Sequence, residues 1–127
     1  MNSLLGLGKY LFIIPLLGFG FGHLSNANAM AGMVPIPGGA LWIYVTGIAM
    51  LAAAVSIVIG KWDKLATTLL GIMLLIFALS IHLPGMLNAA DAMAKQGSMS
   101  QMMKDIGLAG GAWMYAAGLA RDKSMIG

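Results

Sequence analysis

Four long apolar runs, separated by short breaks, leave this chain very few possible folds. They go from Leu4 to Leu24, from Ala40 to Ile59, from Leu65 to Leu83 and from roughly Met99 to Ala120. Each is close to the ~20 residues an α-helix needs to cross a hydrocarbon layer. Strands would need about half that length and would alternate polar with apolar residues, which these runs do not. The sequence is 60% hydrophobic and only 9% charged, whereas soluble domains carry about a quarter charged residues. Too little polar surface remains to face water all round. The expectation is an all-α, integral membrane four-helix bundle: one domain over residues 1–127 with short structured outer loops, set in a lipid bilayer.

The same counts exclude several function classes. A net charge of +3, scattered at the ends of the runs, makes no nucleic-acid patch. Without cysteine there is no disulfide, thiolate metal site or thiol nucleophile. No phosphate loop, nucleophile elbow or zincin helix occurs, so no independent catalytic activity is expected. Lys9, the first run and Ala27-Asn28-Ala29 imitate a secretory signal. Pro15 and the ladder of Gly18, Gly20 and Gly22 favour a retained transmembrane helix instead.

Lys9, Lys61, Lys64, Arg121 and Lys123 fall on one side of the predicted layer, and only Lys95 and Lys104 on the other. The positive-inside rule then places both termini in the cytoplasm. Gly18 with Gly22, Gly107 with Gly111, and Ala52, Ser56 and Gly60 recur at four-residue spacing, the pattern of closely packed helices in lipid. Pro35 and Pro37 stiffen the first outer loop before Gly38 and Gly39. A short helix is expected over 88–96, ending at Gly97. Ser98-Met99-Ser100-Gln101 then reads as a capping box that opens the fourth helix. Both loops are expected to fold over the bundle mouth as a lid.

The only two histidines, His23 and His82, close the first and third runs. Spans one and three end on the same side, where span four starts, with Asp105 close to its beginning. Counting ~20 residues back from Arg121 reaches Gln101, so Asp105 lies about one turn inside the apolar layer. A carboxylate at that depth faces the bundle interior with a partner. His23 and His82 are the expected partners. Lys104, its neighbour in sequence, points about 100° away around the helix. Alone, each residue also fits a simple role: histidines bonding terminal carbonyls, an aspartate near a helix start. Of the twelve methionines, Met30, Met33, Met86, Met93, Met99, Met102 and Met103 fall on the predicted outer side with the histidines, and Met30, Met33 and Met102 are the candidate partners of the histidines. Thioether with imidazole suits copper(I), and methionine also fills apolar gaps.

Four segments in order resemble the DoxX family of small bacterial membrane proteins, which is related to the small DoxD subunit of a thiosulfate:quinone oxidoreductase. They are Gly18-Phe19-Gly20-Phe21-Gly22-His23, Met30-Ala31-Gly32-Met33-Val34-Pro35, Ile81-His82-Leu83-Pro84-Gly85 and Lys104 through Ala112. The resemblance implies a four-span protein of the bacterial inner membrane, associated with redox or sulfur metabolism, and no settled reaction. With it, the residues point to an accessory subunit that binds a quinone or similar small hydrophobic molecule near the outer face. His23 or His82 would donate to a carbonyl oxygen, and Asp105 would fix a tautomer or accept a proton. The alternatives are a b-type haem held by His23 and His82, a copper site, or a structural subunit packed in a larger membrane redox complex or a homo-oligomer.

Overall fold

The computed structural model describes residues 2–30, 38–124 and 126. All regular structure among them is helical: α1 (Asn2–Leu5), α2 (Gly8–Ser25), α3 (Ala27–Met30), α4 (Ala40–Ile59), α5 (Asp63–Phe77), a π-helical turn (Ala78–His82), α6 (Leu83–Leu87) and α7 (Ala92–Gly118). Three stretches are long and apolar enough to cross a membrane: Ser3–Ser25, Ala40–Ile59 and Asp63–Leu87. The fourth helix, α7, is long enough but less apolar, since it carries Lys95, Lys104 and Asp105. Outward faces remain apolar, with Leu11, Ile14, Ile48, Val55, Leu69 and Met114 each more than half exposed. Such a surface is matched by lipid rather than by water.

The chain folds back on itself in consecutive pairs. Helix α2 packs closely on α4, and α5 packs closely on α7, while the two pairs touch each other much less. The core gathers Leu16, Met50, Ile57, Leu74 and Ala112 from all four long helices. Gly20 and Gly47 bring α2 and α4 together: a Cβ on Gly47 would sit 2.9 Å from the Gly20 carbonyl oxygen. Gly71 lies against the Trp113 ring, and Gly111 against Phe12.

These contacts correct part of the expected glycine pattern. Of the five glycines expected at helix contacts, Gly111 packs on Phe12 and Gly60 on Arg121; Gly18, Gly22 and Gly107 have nothing within 4 Å of an added Cβ. Four-residue spacing marks a face of a helix but not which face meets a partner. The expected break at Gly97 is also absent. Asp91 caps α7, its carboxylate accepting the Ala94 N–H at 2.7 Å. The helix therefore starts well before the anticipated capping box, which lies inside it. An aspartate cap outweighs the modest cost of one interior glycine. Residues 31–37, including the prolines of the anticipated lid, lie outside the described residues.

Candidate functional site

The sparse contact between the two helix pairs leaves a cavity of about 1220 Å³ at the end where α2 finishes and α7 begins. Its walls are mostly apolar, from Phe19, Ile43, Met50, Ile72 and Phe77. Its polar groups include His23, Thr46, Ser80, His82, Lys104 and Asp105. Gly18 and Gly22 line it too, and their missing side chains widen it where packing had been expected. A smaller cavity of about 530 Å³ continues along α4 and α5 toward Trp62, sharing Leu69 and Met73 with the first.

Asp105 is 2% exposed and lies between two cationic or cation-capable side chains. His82 Nε2 is 3.1 Å from its Oδ2, and Lys104 Nζ is 3.3 Å from its Oδ1. The Lys104 contact reverses the sequence expectation. Its Cα–Cβ vector diverges from that of Asp105, but its four-carbon stem folds back. The ammonium then rests 4.0 Å from the Phe19 ring centroid and donates to Gln101 Oε1 at 2.8 Å. Lysine can pair with an adjacent residue when a third group holds the head in place.

His82 is not a helix-end residue. Leu83 N–H bonds to the Ala78 carbonyl, five residues back, in a π turn that continues into α6. The cause is Pro84. It lacks the N–H an α-helix would direct to the Ser80 carbonyl, and its ring would press on that carbonyl. A widened turn relieves the conflict, and such turns recur at functional sites. His82 sits at the end of this turn and reaches Asp105 on α7.

His23 follows the simpler of its two readings at one nitrogen. Its Nδ1 bonds to the Phe19 carbonyl, one turn back, at 2.6 Å. A carbonyl only accepts, so Nδ1 carries the proton and Nε2 is the nitrogen left for a ligand. Among the described residues, no hydrogen bond or ion pair joins His23 to His82 or to Asp105. Both histidines nevertheless line the one cavity. Met30 also lines it, and Met102 is buried in α7 away from its wall. Met33 lies outside the described residues. No group of three histidine or acidic side chains gathers as a metal-binding set among the described residues.

Sequence reasoning missed a second cluster at the opposite end of the bundle. Asp63 had counted only among the flanking charges, yet it is fully buried. Its carboxylate accepts Tyr115 O–H at 2.7 Å, Arg121 N–H at 2.8 Å, Asp122 N–H at 2.8 Å and Lys64 N–H at 3.0 Å. Arg121 reaches the Ile57 carbonyl at 2.5 Å and lies over Gly60, whose φ is 72°. Asp122 accepts Trp62 N–H at 2.7 Å. The only available signal was the Trp62-Asp63 pair at a helix start. Neither partner, Tyr115 nor Arg121, is near it in sequence.

No protein-family model, curated protein or solved structure matches the chain.

Proposed function

We propose that this chain is a four-span protein of a bacterial inner membrane, with both termini cytoplasmic, that binds a quinone-type molecule in the cavity between its helix pairs. One observation carries the reading: a large apolar cavity with a buried carboxylate, an imidazole and an ammonium at one end. A ring with an apolar tail matches that distribution. The head would meet His23, His82 and Asp105, and the tail would run along α4 and α5 toward the smaller cavity. Helix α7 serves as the fourth span because Lys104 and Asp105 balance each other and Phe19 covers the ammonium. The resemblance to the DoxX family, carried by its four ordered segments, points the same way. In this reading the chain is an accessory binding subunit rather than an enzyme. The test is quinone affinity of purified Asp105→Asn against the parent protein. A loss of about tenfold is expected from one charge-assisted contact, and unchanged affinity would overturn the reading.

A second reading has an observation of its own. His23 is oriented by a backbone carbonyl and His82 by a carboxylate, the way metal-ligating imidazoles are commonly held. A b-type haem between them predicts a Soret band that disappears in His82→Ala. A colourless preparation from native membranes ends that reading, and elemental analysis decides the copper version.

A further inference from the structure

The polar side chains lining the cavity have mostly committed their protons to the protein. His23 Nδ1–H is held by the Phe19 carbonyl. Thr46 O–H donates to the Trp42 carbonyl at 2.8 Å, and Ser80 O–H to the Ile76 carbonyl at 2.5 Å. His82 presents Nε2 to the Asp105 carboxylate, whose second oxygen is taken by Lys104. Nε2 of His82, facing a carboxylate that can only accept, carries a proton. Lys104 itself is occupied by Asp105, Gln101 and the face of Phe19.

The atoms left for a ligand on these groups are acceptors. They are His23 Nε2 and Thr46 Oγ1 in the wall, with Ser80 Oγ at its exposed edge, all lone-pair bearers once their protons are placed. Among the described residues the wall also holds the Gln101 and Asn26 amides and the Ser98 hydroxyl, which are exposed or partly exposed, and the Asn26 amide donates to the Gly22 carbonyl at 3.0 Å. A quinone offers only carbonyl acceptors, whereas a hydroquinone offers two O–H donors. Acceptor facing acceptor leaves both unpaired, and a site built to pair with a hydroxyl rejects an analogue that lacks it.

Resting on the quinone-type reading, we propose that this site takes its ligand in the hydrogen-donating, hydroquinone form and discriminates against the oxidised form. The pattern extends to other apolar molecules with a phenolic hydroxyl, which the same acceptors would recognise.

The experiment is equilibrium binding of decylubiquinol and decylubiquinone, as defined probes, to the full-length protein in detergent. The quinol is expected to bind at least tenfold more tightly. In a redox titration, the couple in the presence of excess protein then shifts upward by about 30 mV for each tenfold of preference. His23→Leu and Thr46→Val each remove one acceptor. They should weaken quinol binding by about fivefold and quinone binding by less, so that the preference between the two forms shrinks. Equal affinity, or tighter quinone binding, overturns this inference and leaves the quinone-type site standing. Absence of binding by either form overturns both. If either variant fails to fold, the comparison of the two probes on the parent protein still decides.

Discussion

The bundle buries two aspartates, one at each end, and treats them in opposite ways. Asp63 is surrounded by four donors, three of them backbone N–H groups, in the turn where two chain segments meet. Asp105 has two side-chain partners and borders a cavity. A carboxylate satisfied by backbone is fixed as firmly as the backbone itself. One satisfied by an imidazole and an ammonium can exchange partners when a ligand arrives. Burial alone therefore does not distinguish a fastening from a site. The identity of the partners does.

The sharpest test of that contrast is Asp63→Ala. It strands four donors in a sealed corner, and we expect a loss of about 3 kcal/mol, read as detergent-solubilised unfolding. Asp105→Asn keeps the shape and one accepting oxygen of the side chain, so it should cost less, about 1–2 kcal/mol, while ligand affinity falls about tenfold. Equal destabilisation by the two substitutions would erase the distinction. A glycine pair sharpens it on packing. Gly71→Ala drives a methyl into the Trp113 ring and should cost about 2 kcal/mol. Gly18→Ala meets nothing and should leave the unfolding temperature unchanged or slightly raised.

The smallest effect is at Asp122. Hydrogen bonds from the Ser124 side chain, and from the Trp62 and Ser124 backbone, hold its carboxyl below the usual aspartate value of 3.8, at about 2. A depressed folded value means its contribution is complete above the ordinary value and disappears as pH falls from there through about 2. The parent protein should lose stability over that interval more steeply than Asp122→Asn. Parallel curves from unfolding temperature against pH would assign Asp122 no role in fastening this end.

Hydropathy located α4 closely and placed the first span and the end of α7 within a few residues, because lipid demands an unbroken apolar run wherever a chain crosses it. The approach of His82 to Asp105 was legible as well, from the parity of the spans and the rarity of charge. Other features depend on information that is not local. Whether Gly18 meets a helix or a void is set by the partner surface. The start of α7 turned on Asp91, one residue able to cap, against a Ser-x-x-Gln pattern with equal local claim. Asp63 looked like any charge at a span end, since three of its four partners lie over fifty residues away.

The pairing of neighbours in sequence, α2 with α4 and α5 with α7, bears on how the protein is made. Each pair is a helical hairpin whose contacts are local, so each can form as soon as its own residues leave the ribosome, before the other exists. The interface between hairpins is the less extensive one. The cavity lies along that seam. Substitutions there should alter what the protein holds while leaving both hairpins able to assemble, which makes the seam the part of this sequence freest to diversify.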